Sequence, residues 1–263
     1  MVKIPDSELV STVRGVGVAG ARRLGIWAAV AIALFALSWA GYALLTWVRY
    51  GRGRSTSAGA QRDPLLDRFL PEYDIHERHE TGVAAPVALT FAAAREMDLS
   101  RSPLVRAIFA GRELMMGASP DETVRPRALL AQTLALGWRV LAEEPGRVVV
   151  VGAVTQPWEA DVIFRGLSPE ALVAFEEPAY VKIVWTLEVE PRGDSESVFR
   201  TQTRVATTDA YARSRFRRYW SVFSPGILLI RLESLRLVKA DAERRAREAP
   251  PWGQQPVGES EPA

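Results

Sequence analysis

His76 and His79 are the only histidines in the chain. On a helix a His-x-x-His spacing puts both rings on one face, where they could share a metal ion. On a strand, residues three apart point to opposite faces and cannot chelate together. The surrounding stretch, Tyr73 to Val83, reads as a strand. No metal site is therefore expected, and each ring is expected to be solvated or hydrogen-bonded on its own. Glu143/Glu144 and Glu176/Glu177 are adjacent carboxylate pairs. Acid–base work needs two carboxylates facing one substrate with separated pKa values, whereas these pairs sit beside prolines in turns and read as solvated. The run Arg213-Ser-Arg-Phe-Arg-Arg-Tyr-Trp220 interleaves basic and aromatic residues, as nucleic-acid binders do. Wound as a helix, it groups Phe216, Tyr219 and Trp220 to one side and leaves Arg213, Arg217 and Arg218 away from them. That is a core face and a solvated face, and nucleic acid is not an expected partner. In a tethered domain the basic face has a further use, resting on anionic headgroups.

Other chemistries lack their residues. With no cysteine in the chain, a disulfide framework, a thiolate metal site and a cysteine nucleophile are excluded. There is no glycine-rich phosphate loop between a strand and a helix, no G-x-S-x-G elbow and no H-E-x-x-H. No cofactor is expected.

The most informative segment is apolar. From Gly25 to Val48 there is neither charge nor proline. Wound as a helix it reaches about 36 Å, enough to cross a hydrocarbon core of about 30 Å with some tilt. It is too long and too far from the start for a secretory signal, and it has no polar face to offer water. Trp27, Trp47 and Tyr50 suit the two interfaces of a membrane. The expectation is an uncleaved single-pass anchor in the cell membrane. More arginines follow the span (Arg49, Arg52, Arg54, Arg62 and Arg68) than precede it (Arg14, Arg22 and Arg23), which tilts the remainder of the chain toward the cytoplasm.

Around this segment the 263 residues divide into a lead-in (1–24), the span (25–48), a flexible Gly/Ser/Arg linker (49–63), one domain (64–248) and a Pro/Gly-rich disordered tail (249–263). The net charge is +2, with an acid-rich stretch from Glu159 to Glu196 and a basic one from Arg200 to Arg247, which predicts a dipolar surface. Within the domain the pattern is α+β. After the first strand, helices are expected from Pro86 to Met97 and from Pro103 toward Met115, with a loop over 117–127. A hairpin follows around Pro145-Gly146, with strands over Trp138 to Glu143 and Arg147 to Thr155. The alternation of Val181, Ile183, Trp185, Leu187 and Val189 with polar residues marks a half-buried strand. Ser197 to Thr207 is its partner. Thr208 and Asp209 offer caps for a helix, which Pro225-Gly226 should break or kink before it resumes to about Arg247.

This order of elements resembles the START-like, helix-grip superfamily (the SRPBCC or polyketide cyclase/dehydrase-like proteins). Leu70-Pro-Glu-Tyr-Asp-Ile-His-Glu-Arg-His79 and Val83-Ala-Ala-Pro86 look like its opening strand and first helix. Thr201-Gln-Thr-Arg-Val205, Thr208-Asp209 and Arg217-Arg-Tyr-Trp220 with Pro225-Gly226 look like its last strand and closing helix. The resemblance covers about residues 65–245. It implies a curved antiparallel sheet gripping a long C-terminal helix, with a cavity between them for an apolar or amphipathic small molecule. It carries no catalytic set. Trp138, Trp158, Tyr180, Trp185, Tyr219 and Trp220 are the aromatic residues expected to line such an interior, with Thr203 and Arg204 as its first polar candidates. Three functions stay open: a membrane-anchored domain binding a hydrophobic or amphipathic small molecule, lipids included; a cyclase- or hydrolase-like enzyme using the same cavity; and a non-catalytic interaction domain with a filled core.

Overall fold

A computed structural model describes residues 6–50, 55–56, 63–118 and 126–248. The expected tail and most of the expected linker, the middle of the 117–127 loop and the first residues of the lead-in lie outside these. Helix α1 (Asp6–Arg49) runs through both the lead-in and the apolar span without interruption. Strand β1 (Ser55–Thr56) follows, then a short helix α2 (Pro64–Asp67), started by Asp63, whose Oδ1 accepts from the amides of Leu65 and Leu66. Strand β2 (Glu72–Tyr73) pairs with β1, and β3 (Ile75–Val83) opens the main sheet. Helices α3 (Val87–Glu96), α4 (Pro103–Met116) and α5 (Leu129–Ala135) lead to the hairpin of β4 (Arg139–Glu144) and β5 (Val148–Thr155). A short α6 (Pro169–Val173) precedes the long strands β6 (Val181–Pro191) and β7 (Ser197–Thr207), and α7 (Ala210–Glu248) closes the domain.

The main sheet has the order β3-β7-β6-β5-β4, antiparallel throughout. Because side chains alternate along each strand, its two faces separate by residue number. Ile183, Trp185 and Leu187 of β6 share the inner face with Val149 and Val151 of β5 and with Thr201, Thr203 and Val205 of β7. The inner face grips α7, which is joined there by α3. The outer face presents Val150, Val154, Val184 and Ala206 to Leu66, Phe69 and Leu70 around α2 and to Leu172 and Phe175 around α6. The strand β5, Val-Val-Val-Val-Gly-Ala-Val-Thr, is buried along its whole length because both faces are covered.

On the inner face the core is split in two. One cluster joins Val83, Phe91, Val149, Leu187, Val189 and Phe199 to Leu235 and Val238 in the C-terminal half of α7. The other joins Ile75, Val181, Val205 and Trp158 to Ala212, Phe216 and Trp220 in its first turns. Asp209 caps α7, its Oδ1 accepting from the Ala212 amide at 2.6 Å.

Pro225 does not break α7, which continues from Ala210 to Glu248 as one helix. The proline removes one internal donor, but the surrounding turns are held from outside. Trp39 of α1 donates its Nε1 to the carbonyl of Val222 at 3.0 Å. A methyl group at Gly226 would meet Ile108 of α4 at 3.0 Å and the Trp39 ring at 3.5 Å, so the bare glycine is what lets those neighbours pack on α7. The acid-rich and basic stretches also come into contact. They touch through Arg200, which reaches Glu188 and Glu190 at 3.3 and 2.8 Å, and through Arg215, 3.7 Å from Glu159.

Gly137 precedes β4 at φ 102°, and a Cβ there would lie 2.4 Å from the carbonyl oxygen of Phe164. Both the positive φ and the close backbone require glycine. Replacing it, Gly137→Ala, should lower stability by more than about 1 kcal/mol, read as a lower unfolding midpoint of the purified chain.

Candidate functional site

Between the two inner clusters the sheet and α7 do not close on each other. A cavity of about 300 Å³ remains, at the small end of the range for ligand pockets. Its walls are aromatic and aliphatic. Trp138 stacks near Phe164 at 5.1 Å and meets Trp185 edge-on at 6.4 Å, forming one wall. Phe216, Tyr219 and Trp220 on α7 form another, within 5.7–6.2 Å of one another where paired. The polar groups on the lining are Thr201 and Thr203 from β7 and Arg231, Ser234 and Tyr219 from α7.

Of the residues expected to line an interior, Trp138, Trp185, Thr203, Tyr219 and Trp220 meet at this cavity. Three do not. Trp158 is packed in the cluster with Ile75 and Phe216. Tyr180 lies toward the outer face, edge-on to Phe175 at 5.6 Å with the Arg165 guanidinium 5.4 Å from its ring. Arg204 is displaced by strand alternation: its neighbour Thr203 points inward, so Arg204 points outward. There it is 0% exposed, bonded to Asp67 Oδ1 at 2.6 Å and to the Leu70 carbonyl at 3.0 Å, with its guanidinium 4.8 Å from the Tyr73 ring. Its role is to bind α2 and the following turn to the sheet. The same alternation separates the histidines. His76 hydrogen-bonds Gln202 at 3.1 Å on the outer face, while His79 stands 3.5 Å from Glu77 on the inner face.

Sequence reasoning missed Arg231. A signal was available, since Ile227, Arg231, Leu235, Val238 and Ala242 follow one another at helical spacing, and Arg231 is the only charge on that stripe. Its Nη2 donates to Thr203 Oγ1 at 2.7 Å, and its Nε is buried without a hydrogen-bond partner. Burial pushes the guanidinium below its ordinary value, opposed by the nearby Glu77 and Tyr50.

Behind Arg231 is a second, water-sized gap of about 10 Å³, bounded by Glu77, His79, Trp220, Ser224 and Tyr42. Glu77 accepts a hydrogen bond from the Tyr50 hydroxyl, at the end of α1. Burial pushes its carboxyl up, but the His79 ring 3.5 Å away, the hydrogen bond from Tyr50 and the charge of Arg231 outweigh this and hold it below its ordinary value. The end of α1 is fastened to α7 as well. Arg217 donates to the Trp47 carbonyl from Nε at 3.0 Å and from Nη2 at 2.7 Å, with its guanidinium 4.0 Å from the Trp47 ring. A shallow groove of about 540 Å³ lies beside this junction, lined by Trp47, Tyr50, Arg213, Arg217 and Arg218. Arg213 is paired with Asp74 at 2.7 Å, so two of the three expected basic-face arginines are engaged within the protein.

The lowered Glu77 value has a direct consequence. Folding favours the ionised carboxylate, so its contribution is complete above the ordinary value and is lost as pH falls through the lowered one. Glu77→Gln should therefore cost about 1–3 kcal/mol at neutral pH, the usual worth of hydrogen bonds to a charged group. The difference from the parent should shrink as pH falls below about 4.5, as thermal unfolding across a pH series would report.

No protein-family model matches the chain, and no curated protein matches it. Among solved structures it is similar to a hypothetical protein from Helicobacter pylori, at 10% identity over 71% of this chain and 98% of that one, with a TM-score of 0.34. It is also similar to the Zhui aromatase/cyclase from Streptomyces sp. R1128, at 16% identity over 65% and 94% of the two chains, with a TM-score of 0.24. A third is norcoclaurine synthase from Thalictrum flavum, solved with dopamine and hydroxybenzaldehyde, at 12% identity over 71% and 96%, with a TM-score of 0.29. Likenesses of this size carry no substrate and no residue role to this chain. By its own topology, a five-stranded antiparallel sheet gripping a long C-terminal helix, the chain has a helix-grip fold, preceded by an apolar helix.

Proposed function

We propose that this chain is a membrane-anchored START-like domain that binds a hydrophobic or amphipathic small molecule beside the bilayer. The cavity between the sheet and α7 carries the reading: it is a space of ligand size with mainly apolar walls and a few polar groups. The segment Gly25–Arg49 supports the anchoring, being long and apolar enough to cross a membrane. Many of its large side chains face outward, Trp27 at 71% exposure and Leu37 at 70%, as lipid-facing residues would, while Trp39, Tyr42 and Trp47 are half-buried against the domain. The arginine excess after the span supports a cytoplasmic domain.

Binding is favoured over acid–base catalysis because no aspartate, glutamate or histidine is on the lining among the described residues. Glu77 and His79 lie behind Arg231, at the water-sized gap. A filled interaction domain is the weaker reading, since the inner core is open between its two clusters.

Native mass spectrometry of the purified full chain, with extraction and identification of what it carries, tests the proposal. A co-purified small molecule is expected, and Ile183→Trp, which fills the cavity from β6, should abolish it while the chain remains folded by circular dichroism. A chain that carries nothing and shows no thermal shift across a lipid panel would overturn the binding reading. For orientation, protease added to sealed right-side-out vesicles should leave the domain intact; digestion from outside would place it on the other side.

A further inference from the structure

The polar groups on the cavity lining are gathered rather than scattered. Thr201 and Thr203 lie two apart on β7 and share the inner face, and Arg231 and Ser234 lie one turn apart on α7 opposite them. Trp185, the cross-strand neighbour of Thr203, begins an aromatic wall that continues through Trp138 to Phe164. The space therefore has a polar end with one positive charge and an apolar remainder.

The charge is under-served by the protein. A guanidinium offers a fork of donors and does not lose its proton in proteins. Here the fork makes one hydrogen bond among the described residues, from Nη2 to the neutral hydroxyl of Thr203. The Nε has no partner, and the residue borders the water-sized gap. The nearest acid, Glu77, acts on Arg231 only through space, and its carboxylate is already engaged by Tyr50 and set beside His79. Withdrawing a charge from water without a bonded counter-charge is costly. Arg204 differs in having a bonded counter-charge: its Nε also lacks a hydrogen-bond partner, but its Nη1 is met by the Asp67 carboxylate and the Leu70 carbonyl and its guanidinium lies over the Tyr73 ring. Arg231 is half-buried and has no carboxylate hydrogen-bonded to it among the described residues, although it stands on the wall of a cavity large enough for a ligand.

We infer that the cavity takes an amphipathic acid, its carboxylate held by Arg231 with the Thr203 hydroxyl and its apolar body lying against Trp138 and Trp185. This rests on the small-molecule-binding reading above and names the ligand class. A carboxylate matches the planar guanidinium fork, and hydrogen bonds between two charged groups are roughly twice as strong as neutral ones. The apolar walls lower the local dielectric around the pair, which strengthens it, and the gap beside Arg231 is about the size of one water.

The probes are two acid–ester pairs, decanoate with methyl decanoate and 1-naphthoate with methyl 1-naphthoate, titrated into the full chain in amphipol with tryptophan fluorescence as the readout. The acid of at least one pair should bind about tenfold or more tighter than its ester. The first pair represents an acyl chain drawn from a membrane and the second a compact aromatic acid, so the pair with the preference identifies the source. Arg231→Gln should bring the acid down to the level of its ester, and Arg231→Lys should keep part of the preference. Equal affinities of acid and ester in the unaltered chain would overturn the assignment while leaving small-molecule binding standing, and that comparison holds even if a variant fails to fold. A preference that survives Arg231→Gln would also overturn it. No binding of any of the four probes would count against the acid and the cavity reading together.

Discussion

Helix α7 has to satisfy two surfaces at once, and the rest of the arrangement follows from how it does so. One side of it presents Phe216, Trp220, Leu235 and Val238 to the inner face of the sheet. Its other side, around Val222 and Gly226, receives Trp39 of the apolar helix and Ile108 of α4. A helix with both flanks occupied has little room for bulk, and glycine at position 226 supplies the close approach. Helical stability in proteins comes mostly from such tertiary packing rather than from propensity, and this accounts for an uninterrupted helix where the local sequence, Ser224-Pro225-Gly226, argues for a break.

The cavity is a consequence of the same helix. Large side chains at the two ends of its buried stripe close the sheet over α7 in two separate clusters. Between them the stripe carries Ile227, Ile230, Arg231 and Ser234, facing threonines at positions 201 and 203 of β7. Threonine is short, and a guanidinium cannot be packed as an aliphatic side chain is. Interior space is normally filled to close-packed density, so the polar residues in the middle of the stripe are where the sheet and the helix fail to close.

Much of this was legible in the residues. The alternation of Val181 to Val189, the Pro145-Gly146 turn and the Asp209 cap placed the hairpin, the long strand and the start of α7, because each rests on local geometry that the tertiary structure does not override. Thr203, Trp185, Tyr219 and Trp220 were legible for the same reason, since period and face follow from strand and helix alternation. Arg204 was misplaced by one position of that alternation: adjacent strand residues face opposite ways, so Thr203 and Arg204 could not both point inward. Trp158 and Tyr180 lie outside regular strands or at their edges, where periodicity says nothing of direction. Arg231 was readable as a charge on an apolar stripe, but its partner is 28 residues away on β7, and no local pattern reports such a contact.

The apolar helix and the cavity are joined through shared side chains rather than by a linker alone. Trp220 lines the cavity with one edge and meets the Tyr50 ring at 6.2 Å with another. Tyr50 bonds Glu77, Glu77 lies across the small gap from Arg231, and Arg231 bonds Thr203 on the cavity wall. Arg217 clasps the Trp47 carbonyl on the opposite side of the same helix end. The stretch following the apolar span reads from sequence as a flexible linker. The docked helix end imposes a narrower geometry: the wall of the cavity is braced by the last turns of α1, so whatever positions that helix also positions the cavity. Buttressing by packed aromatic groups and a charge-assisted hydrogen bond resists rotation of the domain in a way that a glycine- and serine-rich connection cannot. The apolar helix is thus part of the cavity's supporting structure.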